Sequence, residues 1–255
     1  MHQRERNILT YTKLSIVIPV YNEIETIYEI LRRVSNVEVD LEKEIILVDD
    51  CSKDGTREIL QKIADKDPET MSEINPKESC TFKVILHEQN AGKGGALRTG
   101  FKHITGEIML IQDADLEYEP EEYPILLKPI LDGEADVVYG SRFLGKKRPE
   151  GILFSSFVAN KVLTWLSNLL SGIKVTDMET CYKVIKTPIL KEIELTSDRF
   201  GIEPEITAKL AKKNVRLVEI PISYHGRDHA TGKKINWKDG FSAIFHIIRF
   251  NLDRD

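Results

Sequence analysis

The sequence holds only three cysteines, Cys51, Cys80 and Cys181, in 255 residues. They are far apart, odd in number, and show neither C-x-x-C spacing nor paired histidines nearby, so a disulfide or zinc framework is excluded and reduced thiols of a cytosolic protein are expected. A basic excess is also missing. The formal net charge is -5 and the isoelectric point near 5.8, which argues against a nucleic-acid binder. Any anionic partner must meet a local basic patch. No stretch supplies the about 20 largely apolar residues of a membrane-spanning helix. Residues 152–173 come nearest but are interrupted by Asn160, Lys161 and Asn168, and 241–250 is too short. The N-terminal MHQRERNILTYTK is polar where a secretory signal needs an apolar core, so a cytosolic start is expected. Internal repeats and low-complexity segments are absent.

What is present is a chain long enough for one sizeable core, with 41% hydrophobic residues. Short apolar runs alternate with helical patterns through the first half, as βαβ units of a mainly parallel sheet do. Strands are expected at 14–19, 44–49, 83–87, 107–112 and 135–139. Helices are expected at 24–34, capped by Asn22 with Glu25, and at 56–66, 94–103 and 120–131, the last opened by Pro120. Residues 67–81 read as a polar surface insertion. The second half predicts a long apolar helix over 152–173, a strand at 181–185, a helix at 203–213, a strand at 215–224, a basic loop at 226–234 and a final helix.

In open α/β sheets ligands bind outside the carboxyl ends of the strands, and polar residues gather at those ends here. P-V-Y-N-E follows the first expected strand, Asp49-Asp50 the second, N-A-G-K-G the third, Asp113-Ala114-Asp115 the fourth and G-S-R the fifth. Two carboxylates two residues apart in extended backbone face one side, suited to Mg²⁺ or Mn²⁺ that keeps positions for diphosphate oxygens and water. Glu117, at the same spacing again, offers a third oxygen. Asp50 and Glu23 suit the base or ribose of a nucleotide. The glycines around Lys93 allow close backbone approach, and its ammonium offsets phosphate charge.

The ordered set I-V-I-P-V-Y-N-E, V-D-D-C-S-K-D-G-T, N-A-G-K-G-G-A-L-R-T-G, D-A-D-L-E and Y-G-S-R resembles family 2 glycosyltransferases of GT-A fold, in the branch similar to dolichyl-phosphate mannose and glucose synthases. The resemblance covers residues 14 to about 252. It implies a single α/β GT-A domain over 1–255, with a nucleotide-sugar-binding half at 14–145 and an acceptor-side half at 146–255 that ends in an amphipathic helix. Pro19, Tyr21, Glu23, Asp50, Lys93, Asp113, Ala114 and Asp115 fall on nucleotide-sugar-binding positions. Asp113, Asp115 and Glu117 fall on metal positions, with Glu117 standing where the family often has Gln.

Arg142 matches the basic residue after the fifth strand. Arg227 and Lys234 resemble the family's late phosphate-closing loop, with Lys233 where a Ser is usual. The segment Asp177-Met-Glu179-Thr-Cys181-Tyr resembles the acceptor-side D-x-x-S-G-F, with Cys for Gly, and Arg199 and Glu203 belong to the segment that follows. The resemblance thus implies an inverting displacement that moves a hexose from a GDP-mannose- or UDP-glucose-type donor, with Asp115, Arg142, Arg227 and Lys234 as the catalytic set. Asp115, Asp177 and Glu179 are candidate bases for a hydroxyl acceptor. The basic residues Arg142, Lys146, Lys147, Arg148, Arg227 and Lys234 favour a phosphate, so polyprenyl phosphate is the leading acceptor. Without the tail that many relatives carry, the chain is expected to meet that lipid peripherally, through the 154–170 and 241–250 helices. A soluble or glycan hydroxyl acceptor, and a nucleotide-sugar-binding subunit without turnover, are the alternatives.

Overall fold

The computed structural model describes residues 11–145, 152–226 and 237–253. Its centre is a seven-stranded sheet built from β1 (Lys13–Val20), β2 (Glu42–Asp49), β3 (Cys80–Leu86), β4 (Ile108–Ile111), β5 (Val137–Ser141), β6 (Lys183–Lys186) and β7 (Leu217–Pro221) in the order β3-β2-β1-β4-β6-β5-β7. β1 lies inside it, and Leu14, Ile16, Val17 and Ile18 are wholly buried, as expected for a parallel strand covered on both faces. It pairs in parallel with β2 on one side, Ile16 opposite Ile45, and with β4 on the other, Ile16 opposite Leu110.

The expected parallel sheet has one interruption. β6 runs antiparallel to both β4 and β5. The carboxyl ends of β1 to β5 therefore share one rim, and β6 enters the sheet from that rim. This reversal carries 177–182, the residues leading into β6, to the ends of the other strands. An apolar run marks a strand but not its direction, so the sequence pattern is silent on this point.

Helices α1 (Ile27–Asn36), α2 (Thr56–Ala64), α4 (Gly92–Phe101) and α5 (Tyr123–Leu131) lie where the periodicity puts them. The cap of α1 differs. Thr26 precedes the helix, while Asn22 adopts a left-handed φ of 52° and its side-chain oxygen accepts from Lys53 N–H at 2.8 Å. Residues 67–81 are not a bare insertion either. They hold α3 (Pro68–Ile74), opened by Asp67, whose carboxylate accepts from Thr70 N–H, and by Pro68 at its first position.

The far end of α1 is closed by a buried cation. Lys43 Nζ donates to the carbonyls of Val34, Ser35 and Val37 at 3.1, 2.6 and 2.7 Å, a lysine at the negative end of a helix.

The second half adds α6 (Phe154–Ser171), α7 (Thr187–Lys191), α8 (Ile202–Lys212) and α9 (Trp237–Leu252). α6 packs against α8 and α9, but its sides are unusual. Inward it buries Leu163, Thr164 and Ser167, while Phe154, Val158, Val162, Trp165 and Leu169 stand 68%, 41%, 51%, 63% and 63% exposed. Those five recur at helical spacing, so the helix turns its apolar stripe outward. α9 adds exposed Phe245, Ile248 and Leu252. No helix among the described residues is long and apolar enough to cross a membrane, and the three cysteines are free.

Candidate active site

The Asp113-Ala114-Asp115 turn leaves β4 at the common rim. Ala114 is buried, Asp113 and Asp115 are half-buried, and the turn is tied to the start of α1 by the Thr26 hydroxyl, which donates to Ala114 O at 2.9 Å. Glu23 lies directly beneath that bond, with its own N–H given to Thr56 Oγ1 at 3.0 Å. Pro19 and Tyr21 complete the first strand's end, Tyr21 with 36% of its surface open. Pro19, Tyr21 and Glu23 thus stand at the end of β1, beside the β4 turn.

Asp50, at the end of β2, is hydrogen-bonded to the chain itself. Its oxygens accept from Ala91 N–H and Gly92 N–H, both at 2.7 Å, and its Oδ1 lies 2.9 Å from His87 Nδ1. It is 3% exposed. Asp50 pins the first turn of α4 to the end of β2.

The glycines around Lys93 also serve the protein's own backbone. Gly92 has φ +78°, and a Cβ there would stand 2.6 Å from Asp198 O; one on Gly94 would strike the carbonyl oxygens of Ser197 and Arg199. Gly95 N–H donates to Asp198 O at 2.8 Å. Close approach is needed, as the G-K-G-G pattern implies, and within the chain the approaching group is the 197–199 segment.

Lys93 joins the two sides of this contact. Its ammonium lies 2.9 Å from Asp113 Oδ1 and 3.0 Å from Glu203 Oε1, with only 17% of the side chain exposed. Burial pulls the ammonium's pKa down, but Asp113 and Glu203 outweigh it and hold the group firmly charged.

Arg142, at the end of β5, is equally committed. Its Nε and Nη2 donate to the two oxygens of Asp177 at 2.7 and 2.8 Å, and its backbone N–H adds a third bond at 3.0 Å. Asp177 is wholly buried, and the guanidinium lies 5.2 Å from the ring centres of both Phe143 and Tyr224. Both oxygens of Asp177 are therefore engaged by the Arg142 guanidinium.

Glu179 is held in its neutral form: burial, and then the negative charge of Glu203, push its carboxyl up to about 8, so it keeps its proton at neutral pH. Asp115, the third candidate base, stands at the rim with its Oδ1 accepting from Glu117 N–H at 3.2 Å. Arg199 is exposed on the 197–199 segment beside Gly92, and Glu203 opens α8. Glu203 meets Asp113 through the shared Lys93 ammonium.

The three acidic side chains expected to share a metal do not close on one point. Glu117 Oε2 accepts from the Tyr224 hydroxyl at 2.8 Å, Asp113 is held by Lys93, and among the described residues no group of three or more His, Cys, Asp or Glu forms a metal cage. The donor set that remains, Asp113 and Asp115 on one turn, fits a hard divalent cation whose other positions are filled by diphosphate and water. Arg227 and Lys234, like Lys146, Lys147, Arg148 and Lys233, lie outside the described residues. The segment that leads to Arg227, after β7, is nonetheless anchored beside the acidic turn, for His225 N–H donates to Glu117 O at 2.9 Å and His225 Nε2 lies 3.1 Å from Glu119.

Motif reading passed over two groups that the fold brings here. Tyr118 sits between Tyr182 and Tyr224, with ring centres at 4.8 and 5.3 Å, and its hydroxyl accepts from Cys181 N–H at 3.2 Å. Gln112 accepts from the hydroxyls of Tyr123 and Tyr182 at 2.6 and 2.9 Å. Both fix the loop into β6 against the end of β4, and only their nearness to D-A-D marks them in the sequence.

Comparison with known proteins agrees with this arrangement. Residues 15–193 match the family model described as Glycosyl transferase family 2. The chain is 30% identical over 239 residues to a dolichol-phosphate mannosyltransferase of Pyrococcus furiosus, covering 93% of this chain and 63% of that protein. It is 26% identical to a UDP-N-acetylglucosamine–dolichyl-phosphate N-acetylglucosaminyltransferase of Methanococcus voltae, covering 94% and 96%. An undecaprenyl-phosphate mannosyltransferase of Micrococcus luteus is 28% identical, covering 92% and 93%. In fold it is similar to glucosyl-3-phosphoglycerate synthase of Mycobacterium tuberculosis, solved with Mn²⁺, UDP and phosphoglyceric acid, with a TM-score of 0.65 at 17% identity over 96% of this chain and 80% of that one. With the GT-A sheet, the strand-end motifs and a family match over residues 15–193, the chain belongs to glycosyl transferase family 2.

Proposed function

We propose that the protein transfers a hexose from a nucleotide-diphosphate sugar to a polyprenyl phosphate at a membrane surface. The observation that carries the lipid acceptor is the outward apolar stripe of α6 on the acceptor-side half. A helix that buries Thr164 and Ser167 while exposing Phe154, Val158, Val162, Trp165 and Leu169 is built to lie against apolar matter. The relatives named for dolichyl- or undecaprenyl-phosphate transfer support the same reading. The halves 14–145 and 146–255 contribute strands to one sheet, which supports treating them as one GT-A unit.

In this reading Pro19, Tyr21 and Glu23 flank the nucleoside, and Asp50 shapes its floor by fixing the start of α4. Asp113 and Asp115 hold Mg²⁺ or Mn²⁺ together with the diphosphate. The metal, when bound, neutralises charge on the departing nucleoside diphosphate. Arg227 and Lys234, following the anchored His225, supply cations to the same leaving group. A phosphate acceptor is already an anionic nucleophile and needs no base, consistent with the commitment of Asp177 to Arg142 and the neutral state of Glu179. Inversion of the anomeric centre follows from one direct displacement.

The test is an assay of radiolabelled GDP-mannose, UDP-glucose and UDP-N-acetylglucosamine with Mn²⁺ against undecaprenyl phosphate in vesicles, beside glycerol and free sugars. Label entering the lipid phase supports the reading. Label entering only soluble hydroxyl acceptors rejects the lipid, and donor binding without transfer to any acceptor rejects catalysis.

A further inference from the structure

Glu203 has one oxygen against Lys93 and one, Oε2, enclosed without a hydrogen-bond partner. Its side chain is 7% exposed. A buried carboxylate depends on the cations beside it, since removing one member of such a pair leaves an uncompensated charge; the Lys93 ammonium stands within ion-pair distance of Glu203, and the buried Lys183 acts on it from farther off. The same ammonium lies on both oxygens of Asp113, at 2.9 and 3.0 Å. Lys93 is thus divided between a donor-side carboxylate on the β4 turn and an acceptor-side carboxylate in the first turn of α8.

The surrounding backbone makes that division consequential. Asp50 fixes the amides of Ala91 and Gly92, so the start of α4 does not float. The 197–199 carbonyls rest on Gly92 and Gly94 with no room for a Cβ, and Arg98 adds bonds to Thr196 O at 2.8 Å and Asp198 at 2.6 Å. The 196–203 segment therefore follows the first turn of α4 closely. Any ligand that draws the Asp113 oxygens away from Lys93 changes the charge facing Glu203, through a contact with no slack.

We propose that Lys93 is a positioning residue that transmits occupancy of the Asp113–Asp115 turn to the 196–206 segment through Glu203, so that donor loading sets the acceptor side. This rests on the donor reading above. With a divalent cation and diphosphate at Asp113, the ammonium shifts its weight toward Glu203 and the phosphates, and the start of α8 tightens against α4. Without the ligand the ammonium is shared, and the acceptor side is held less firmly.

The experiment is hydrogen exchange of the full chain with and without Mn²⁺ plus UDP, and in parallel Mn²⁺ plus GDP, at concentrations that saturate protection of residues 113–117. The expected result is slowing at 113–117 together with slowing of at least about fivefold at 196–206, the low end of site-to-site coupling. Lys93→Met alone leaves buried Glu203 and half-buried Asp113 without their cation and is a poor test if it unfolds. Lys93→Met combined with Glu203→Gln removes the bridge without that stranded charge at α8. Because the ammonium also offsets donor phosphate, this double variant is assayed at Mn²⁺ and nucleotide concentrations raised until 113–117 is again protected; it is then expected to lose the slowing at 196–206, while Lys93→Arg, which keeps the cation, retains part of the coupling. Slowing at 196–206 that survives in the double variant, or is absent from the wild type while 113–117 responds, overturns the relay alone. No response at 113–117 with either nucleotide overturns the donor reading and the relay with it.

Discussion

Arg142 holds Asp177 through both carboxylate oxygens, 2.7 and 2.8 Å from its Nε and Nη2, in a pocket where Asp177 has no exposed surface. A pair this enclosed is a joint between β5 and the loop into β6 before it is anything else. Removing one partner strands a buried charge at a cost of about 3–5 kcal/mol, while replacing both by apolar residues of similar size is far milder. Arg142→Met should therefore lower stability in urea by roughly that amount, and Arg142→Met with Asp177→Leu should recover most of it. Double-variant stability no better than that of Arg142→Met would mean the pair is not the joint described. Transfer by the recovered double variant then reports whether the guanidinium also serves phosphate.

Glu179 gives a pH signature. Its folded carboxyl, raised to about 8 by burial and then by Glu203, lies above the ordinary glutamate value of about 4.3. The unfolded chain releases that proton first, so the stability tied to it is complete below about pH 4 and is lost as pH rises through about 8. Glu179→Gln should stay neutral throughout. The melting temperature of the wild type should fall relative to the variant between about pH 5 and 8.5, and parallel curves would show that Glu179 ionises normally.

Gly94 tests the close packing at the start of α4. A methyl there meets the carbonyl oxygens of Ser197 and Arg199, backbone atoms that cannot rotate away, so Gly94→Ala should destabilise by roughly 1–3 kcal/mol. Gly240, in α9 with no described residue near its missing Cβ, is the contrast: Gly240→Ala should be neutral or stabilise by up to about 1 kcal/mol. Denaturant midpoints read both. Equal effects would remove the steric account of the G-K-G-G pattern.

The rim was legible because each of the first five strands is an apolar run that stops at polar residues, and a parallel sheet gathers such ends. Asp113 and Asp115 were legible for the same reason. The partners of those residues were not. Nothing local to Lys93 indicates Glu203, and nothing local to Asp50 indicates that the amides of Ala91 and Gly92 will reach its oxygens. Both pairings depend on which segments the fold brings together, and the reversal of β6 that carries Asp177 and Glu179 to the rim leaves no mark in a four-residue strand, K-V-I-K. The glycines carried a true signal, close approach, but not the identity of the 197–199 segment that approaches, because absence of a side chain states that something comes near and not what it is. The 154–170 stretch was legible as a docking helix, but which of its residues face out depends on how α8 and α9 pack against it.

That stripe makes the last prediction. Trp165 and Leu169 are both 63% exposed on one face of α6, and α6 has no acidic residue along its length. Burying such side chains in an acyl boundary gains about 25 cal/mol for each Å² removed from water, so a stripe of five gives reversible surface binding and not insertion. The protein should sediment with anionic vesicles at low salt. Trp165→Asp with Leu169→Asp should weaken vesicle binding by at least about tenfold, because each change deletes apolar area and adds repulsion from the headgroups. Both sites are solvent-facing, so the melting temperature should move little. Transfer to a short-chain, water-soluble prenyl phosphate should persist in this variant while transfer to vesicle-embedded lipid falls. If sedimentation is unchanged by the two substitutions, α6 is not the docking face; if both acceptors fail together, the helix serves the chemistry directly.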